Sequence, residues 1–205
     1  MKNRDRALFI VVEGIDGAGK STLCHRIGRE LQNKGRDVLL TFEPSDGFWG
    51  QKLRESFKAG RNDPEEELTL FLKDREEHVS KVIAPALAQG KTVICDRYYL
   101  STIAYQGARG LSTDYILAAN QEIAPAPDLA FLLHLPVDEA IKRIRVGRGD
   151  APNLFERQEY LERVADLFDK LNFPWLVKLN ALVSEDELLH KVLGYIDDYY
   201  NNRSS

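Results

Sequence analysis

The stretch that decides the fold is Val11-Val12-Glu13-Gly14-Ile15-Asp16-Gly17-Ala18-Gly19-Lys20-Ser21-Thr22. It matches G-x-x-x-x-G-K-[ST], the pattern of a phosphate-binding loop (P-loop), whose glycines let successive backbone N–H groups face phosphate oxygens. The apolar run at 7–12 predicts a strand before the loop, and residues 20–34 predict a helix after it, whose positive N-terminal end also faces the anion. A chance match in an unrelated strand–turn–helix is the alternative, and the two flanking elements argue against it.

The loop predicts the donor side of a nucleotide site. Lys20 is long enough to reach the β- and γ-phosphates of ATP, and the hydroxyl of Ser21 is a ligand for Mg²⁺. The predicted ATP-binding residues of the loop are Gly14, Ile15, Asp16, Gly17, Ala18, Gly19, Lys20, Ser21 and Thr22. Asp16 is unexpected among groups that bind anions, so it either caps the turn or faces something other than the donor phosphates.

Length and composition indicate an ordinary globular domain. The chain has 205 residues, of which 43% are hydrophobic and 29% charged, and its net charge is -4. With no long basic run, binding to nucleic acid or to a membrane surface is not expected. No segment approaches the roughly 18 apolar residues of a membrane span, and Glu13 interrupts the apolar run too early for a signal peptide, so the expected location is the cytoplasm. The two cysteines are interpreted as reduced core thiols, and the histidines lack metal-binding spacing.

Apolar runs and helical patterns alternate along the rest of the chain. Further strands are predicted at 38–42, 92–95, 129–135 and 174–179, and long helices at 64–89 and 185–200. Ser45–Gly50 reads as a turn-rich connection. Continuous apolar strands separated by helices indicate an α/β fold, with a parallel five-stranded sheet covered by helices on both faces.

Asp96 and Arg97 directly follow the predicted strand at 92–95. Ligands of parallel sheets collect beyond the carboxyl ends of the strands. There Asp96 could hold Mg²⁺ directly or through water, and Arg97 could bind a phosphate with two hydrogen bonds. A pair that merely caps the sheet edge is the alternative.

Phe71 and Arg75 lie four residues apart on a predicted helix and therefore share one face. A stacking ring beside a guanidinium that donates hydrogen bonds suits a flat base with carbonyl groups. The alternative is a core phenylalanine and a solvated arginine.

Residues 143–153 are basic and punctuated by glycine. Arg143, Arg145 and Arg148 could supply positive charge to a phosphoryl group in transfer. The glycines favour a mobile flap that closes over a site and excludes water. An ordinary basic surface loop is the alternative.

Three classes of P-loop protein compete for this chain: a kinase, a GTPase-type switch and an ATPase that drives a partner. A switch usually reads guanine through Asn-Lys-x-Asp, and the nearest string, Asn33-Lys34-Gly35-Arg36, lacks the acid. A partner-driving ATPase usually needs appended domains. The kinase hypothesis accounts for the additional positive groups and the flap, because two anionic substrates must be brought together away from water.

Together these motifs resemble the thymidylate (dTMP) kinase family, over nearly the whole chain and in the family's order. The matching stretches are residues 13–22, Phe71 with Asp74-Arg75, residues 94–98, residues 101–107 and residues 143–156. The resemblance implies the P-loop kinase fold, with one nucleoside-monophosphate-kinase-like domain over residues 1–205 and a small mobile LID at about 143–156. It also implies transfer of the ATP γ-phosphate to dTMP with Mg²⁺, and a homodimer.

The resemblance assigns roles on the acceptor side. Phe71 would stack on thymine, Arg75 would donate to a ring carbonyl, and Arg97 would hold the acceptor phosphate. Tyr105 would pack against the sugar and disfavour a ribose 2′-OH, and Asp16 would bind the 3′-hydroxyl or help to organise Mg²⁺. Thr102 and Gln106 are candidates for the base edge, and the other predicted acceptor residues are Tyr98 and Ser101.

The resemblance also implies the catalytic and donor groups. The predicted catalytic residues are Lys20, Arg97, Arg143, Arg145 and Arg148; the metal ligands are Ser21 and Asp96; and Asn180 and Ala181 lie near adenine. Gly17-Ala18 places no arginine inside the loop, so Arg148, with Arg143 or Arg145, is the expected donor, as in bacterial-type members. Phe42 stands where the family often has arginine. Two alternatives therefore stay open: a related kinase with another nucleotide or nucleoside acceptor, and a non-catalytic nucleotide-binding sensor.

Overall fold

The computed structural model describes residues 7–60, 62–148 and 154–202, with side chains described except at 146–148, 154–157 and 202. Its centre is a five-stranded parallel sheet in the order β2-β3-β1-β4-β5. The strands are β1 (Leu8–Gly14), β2 (Val38–Phe42), β3 (Thr92–Asp96), β4 (Leu129–His134) and β5 (Leu176–Asn180). The predicted α/β fold with five parallel strands is confirmed.

The position of each strand explains its composition. β1 is the central strand, and all seven of its residues are buried, which is why its sequence is apolar apart from Glu13. The edge strands β2 and β5 are partly exposed. The chain builds β2 and β3 on one side of β1 and then crosses to β4, so the carboxyl end of β1 lies at the point where ligands bind in open α/β sheets.

Nine α-helices are described around this sheet. They are α1 (Lys20–Asn33), α2 (Phe48–Ala59), α3 (Pro64–His78), α4 (Ala84–Ala88), α5 (Tyr99–Gly107), α6 (Thr113–Ile123), α7 (Val137–Arg148), α8 (Leu154–Lys170) and α9 (Glu185–Asn202). None of the helices within the described ranges is long and apolar enough to cross a membrane.

The predicted helix at 64–89 is confirmed and contains an irregular turn. Asp63 caps α3 by accepting a hydrogen bond from the N–H of Glu65 at 2.9 Å, and Pro64 occupies the first turn. A π-helical turn at Val79–Ile83 joins α3 to α4. This turn ends two residues before Pro85, whose nitrogen cannot donate a helical hydrogen bond, and the helical path continues past the proline.

The turn-rich connection predicted at Ser45–Gly50 is wrong in its second half, because α2 begins at Phe48. The chain folds back tightly there: a Cβ on Gly50 would lie 2.0 Å from the carbonyl oxygen of Ser45. The predicted LID also contains regular structure, since residues 143–148 end α7 and residues 154–156 begin α8. Its central residues, 149–153, lie outside the described ranges.

Candidate active site

The P-loop connects β1 to α1 and lies against neighbouring backbone. Gly14 and Gly17 have φ values of 140° and 83°, which side chains rarely adopt. A Cβ on Gly14 would lie 2.7 Å from the carbonyl oxygen of Leu133, and one on Gly17 would lie 2.7 Å from that of Ala140. Both glycines are therefore required by the contact of the loop with β4 and α7.

Lys20 is held inside the loop. Its side chain is buried, and its Nζ donates to the carbonyl oxygen of Ile15 at 2.8 Å. Burial lowers the pKa of Lys20 to about 8, and the nearby Arg97 cation acts in the same direction. An anionic phosphate beside this ammonium would favour the charged form again.

Ser21 and Asp96, the two predicted metal ligands, are in contact with each other. The hydroxyl of Ser21 donates to Oδ2 of Asp96, while Oδ1 of Asp96 is buried and has no hydrogen-bond partner among the described residues. A hydroxyl and a carboxylate oxygen fit Mg²⁺, which takes few protein ligands and completes its shell with water and substrate phosphates. The described residues contain no cluster of three or more His, Cys, Asp or Glu side chains that would form an all-protein metal site.

A cleft of about 710 Å³ opens over the loop and is suited to a nucleotide donor. Its far wall contains Ala181, whose carbonyl oxygen accepts a hydrogen bond from Nη2 of Arg143 at 3.2 Å. Asn180 is not part of the lining; its Oδ1 accepts from the N–H of Leu182 at 2.9 Å and so shapes the turn after β5. Sequence reasoning missed six further lining residues, namely Leu23, Arg26, Ile144, Val183, Glu185 and Leu188.

The three flap arginines have different surroundings. Arg143 lines the donor cleft, whereas Arg145 is exposed and is absent from the described lining. Arg148 is the last residue of α7, and its side chain lies outside the described set. The prediction that Arg148 supplies a catalytic guanidinium therefore stays a prediction.

Arg97 lies at the end of β3 beside the loop. Its φ of 71° is unusual for a residue with a side chain, and its N–H donates to the carbonyl of Val12 at 2.9 Å. The guanidinium donates to the Asp16 carboxylate and, at 3.0 Å, to Oγ of Ser101. Burial alone would lower the pKa of Arg97, but Tyr105 and the nearby carboxylates raise it. The guanidinium is therefore a fixed positive charge at this position.

Glu13 connects the loop strand to α5. Its Oε1 accepts the N–H groups of Tyr98 at 2.9 Å and Ser101 at 3.2 Å, and its Oε2 accepts the Ser101 hydroxyl at 2.5 Å. Burial raises the pKa of Glu13 to about 7, although these hydrogen bonds and the charge of Arg97 each act to lower the pKa. Glu13 thus caps the helix that carries most of the predicted acceptor residues. Its signal in the sequence was a carboxylate within an otherwise apolar strand.

A second cleft, of about 600 Å³, lies on the other side of Arg97. All nine predicted acceptor residues line it: Asp16, Phe71, Arg75, Arg97, Tyr98, Ser101, Thr102, Tyr105 and Gln106. Two of these, Asp16 and Arg97, also line the donor cleft. The two clefts therefore meet at this ion pair.

Arg75 is buried, so the alternative of a solvated arginine beside a core phenylalanine is wrong. Its Nε and Nη2 donate to Oε2 of Glu43 at 2.9 and 2.5 Å, Nη2 also donates to Thr102 at 3.1 Å, and Nη1 donates to Asn120. His78 contacts Oε1 of Glu43 at 3.0 Å. Burial alone would raise the pKa of Glu43, but Arg75 and His78 lower it. These contacts use four of the five N–H groups of Arg75.

Other acceptor-cleft residues were missed by sequence reasoning. Phe57, on the unpredicted helix α2, lies with its ring centroid 6.3 Å from that of Phe71. Tyr160 donates to the carbonyl oxygen of Tyr105 at 2.9 Å. Phe42 is 44% exposed and is in neither lining as described, so the side chain that replaces the common arginine does not form part of the acceptor cleft.

This geometry defines a class of protein. The chain has a P-loop after the central strand and a basic cleft suited to a nucleotide donor. It also has a second, partly aromatic cleft that shares Asp16 and Arg97 with the first. This combination is that of a P-loop kinase. A switch or a partner-driving ATPase has no need of the second cleft.

The comparison with known proteins identifies the family. The sequence model of the Thymidylate kinase family matches residues 12–192. The chain is 48% identical over 189 residues to the thymidylate kinase of Desulfotalea psychrophila, covering 90% of this chain and 92% of that protein. It is 48% identical to the thymidylate kinase of Xanthomonas campestris pv. campestris, covering 90% of this chain and 80% of that protein. It is 45% identical to the thymidylate kinase of Akkermansia muciniphila, covering 90% of this chain and 88% of that protein. The chain belongs to the thymidylate kinase family.

Proposed function

We propose that this chain transfers the γ-phosphoryl group of ATP to dTMP, giving ADP and dTDP. The observation that carries the proposal is that Asp16 and Arg97 line both clefts. A donor phosphate on the P-loop and an acceptor phosphate on Arg97 would then lie on adjoining sides of the Asp16–Arg97 ion pair. This is the arrangement that in-line phosphoryl transfer requires.

The mechanism depends on position and charge. The acceptor phosphate is already an oxyanion at neutral pH, so its attack needs no general base and forms no covalent enzyme intermediate. Lys20 would neutralise the β- and γ-phosphates from the loop, while Arg97, fixed by Asp16 and Ser101, would hold the acceptor phosphate. Burial of both cations strengthens their attraction for phosphate.

Mg²⁺ is the proposed metal, held by Ser21 and by Asp96 directly or through water. The buried Oδ1 of Asp96, which has no hydrogen-bond partner within the described ranges, supports this assignment. When bound there, Mg²⁺ would supply positive charge to offset the negative charge that develops on the phosphate groups.

Base and sugar recognition are assigned to the second cleft. Phe71 is the proposed stacking ring, Arg75 keeps one N–H on Nη1 for a ring carbonyl, and Gln106 faces the base edge with Thr102. Tyr105 closes the sugar side, because its hydroxyl accepts the N–H of Asp16 at 3.0 Å. A ribose 2′-OH would have to fit against this ring.

Asp16 is assigned to the acceptor. Its carboxylate accepts from Arg97, and both residues line the acceptor cleft as well as the donor cleft. We assign it to the sugar 3′-hydroxyl. Arg148 is the proposed source of the catalytic flap charge, since Arg143 already donates to Ala181.

A homodimer in the cytoplasm is proposed from the family resemblance. The buried, unpaired thiols of Cys24 and Cys95 agree with a reducing compartment. Light scattering coupled to size-exclusion chromatography should give twice the 23.3 kDa mass of the chain.

A coupled ADP-release assay with dTMP, dUMP, dCMP, dGMP and AMP tests the function, with Lys20→Met as the inactive control. We expect turnover with strong preference for dTMP. Preference for another acceptor would support a related kinase instead, and tight nucleotide binding without turnover on any acceptor would support the sensor.

A further inference from the structure

Gln106 of the acceptor cleft has a buried partner that the proposed function does not use. Its Nε2 donates to Oε1 of Glu67, on α3, at 2.7 Å, and both side chains are buried. The same Oε1 lies 2.9 Å from Nη1 of Arg109, whose Nη2 donates to the carbonyl oxygen of Asn62 at 2.7 Å. Glu67 is therefore a buried carboxylate in an ion pair, and its partner Arg109 also contacts the backbone before α3.

This contact determines which end of the Gln106 amide faces the ligand. A carboxylate in an ion pair only accepts hydrogen bonds, so the amide must turn its NH₂ group to Glu67. Oε1 of Gln106 is buried and has no hydrogen-bond partner among the described residues, although Gln106 lines the acceptor cleft. A buried carbonyl oxygen without a donor is unfavourable, and a ligand N–H would remove that cost.

We propose that Glu67 is a specificity-determining positioning residue, which fixes the Gln106 amide so that the cleft presents a hydrogen-bond acceptor to the base. The inference rests on the proposed function and deepens it. Thymine and uracil carry an N–H at N3 and match this acceptor. Cytosine has a bare nitrogen at N3, so two acceptors would face each other.

Arg75 adds to the discrimination between thymine and cytosine at position 4 of the ring, next to N3. Its guanidinium can only donate, which suits the O4 carbonyl of thymine and opposes the amino group of cytosine. Thymine and cytosine differ in shape only by the 5-methyl group of thymine, and a pocket discriminates weakly on a single methyl group. A site with buried polar groups, by contrast, strongly rejects a base with the wrong hydrogen-bonding pattern. Glu67 is what prevents Gln106 from rotating by half a turn to accommodate cytosine.

The test is Glu67→Gln, because a glutamine can either donate or accept and no longer dictates the orientation of Gln106. We expect the ratio of kcat/KM for dTMP to that for dCMP to fall by about tenfold or more, while the KM for ATP stays unchanged. dCMP is also measured as a competitive inhibitor, so that weak binding is still quantified. Glu66→Gln is the matched control, since Glu66 is exposed on the same helix. An unchanged ratio in Glu67→Gln would overturn the proposal.

A double-mutant cycle separates positioning from general damage. In a Gln106→Ala background, Glu67→Gln should no longer change the dTMP/dCMP ratio, because the amide that it orients is gone. An equal change of the ratio in both backgrounds would count against the proposal.

A measurement on the unmutated protein covers the case in which Glu67→Gln does not fold. dTMP methylated at N3 lacks the N–H and should be used at least tenfold less well than dTMP; equal use would reject an acceptor at this position. If the unmutated protein does not phosphorylate dTMP at all, the proposed function fails, which is a different outcome from an unchanged ratio.

Discussion

The Glu43–Arg75 ion pair gives the sharpest prediction, because it combines a structural role with the proposed role of Arg75 in base recognition. The side chains of Arg75 and Glu43 are 1% and 3% exposed. Arg75→Met removes the guanidinium and leaves the Glu43 carboxylate buried without its main partner. Breaking such a buried pair costs about 3–5 kcal/mol. Since His78 still contacts Glu43 at 3.0 Å, we expect the lower end, about 3 kcal/mol.

The double variant Glu43→Gln/Arg75→Met separates the two roles. With both charges of the pair removed, most of the lost free energy of unfolding should return, because an ion pair and a neutral replacement often differ little in stability. Recognition should not return: the KM for dTMP should stay raised in both variants, since neither has a donor for the ring carbonyl. Stability is measured by urea unfolding with the fluorescence of Trp49 and Trp175, and recognition by steady-state kinetics.

The control is Arg29→Met, at an exposed position of α1, which should leave stability within about 0.5 kcal/mol of the unmutated protein. The same small change in Arg75→Met would refute the reasoning about burial. A double variant with an unchanged KM for dTMP would refute the contact of Arg75 with the base.

Three further predictions concern the loop and the flap. Since the pKa of Lys20 is about 8, its ammonium is charged below pH 8 and neutral above it, so the KM for ATP should be constant below pH 8 and rise above it. Lys20→Arg should remove this pH dependence of the KM. A KM that stays constant up to pH 9.5 in the unmutated protein would contradict the assignment. Asp16→Asn should raise the KM for dTMP more than the KM for ATP, and the opposite order would return Asp16 to a role in loop structure. Arg148→Ala should lower kcat by about 10³-fold or more if this arginine acts on the phosphoryl group; Arg145→Ala is the comparison, and an unchanged kcat would remove Arg148 from the mechanism.

The features predictable from the sequence are those set by neighbours in the chain. The P-loop, the central strand before it and α1 after it follow from glycine spacing and apolar periodicity, and the structure has all three. The acceptor cleft was predicted through the family resemblance, not through periodicity. Helix α2 was missed because it begins inside a turn-like segment and buries only Gly50 and Leu53, which leaves too weak an apolar pattern.

The partners of three buried carboxylates could not be predicted, because these partners lie far from the carboxylates in the sequence. The partner of Glu43 is Arg75, 32 positions away; that of Glu67 is Gln106, 39 positions away; and that of Glu13 is the N–H of Tyr98, 85 positions away. In isolation a glutamate favours the surface. Their placement follows from the packing of α3 and α5 against the sheet, which no local pattern encodes.

Helix α5 is attached to the loop strand at two points, through Glu13 at its N-terminus and through the Tyr105 hydroxyl to the N–H of Asp16. A ligand that stiffens or shifts the loop therefore acts on the wall of the neighbouring cleft as well. Thermodynamic linkage then makes the effect reciprocal: whatever factor ATP applies to the affinity for the acceptor, the acceptor must apply to the affinity for ATP. The two attachments of α5 are thus the contacts through which any such coupling between the clefts would pass.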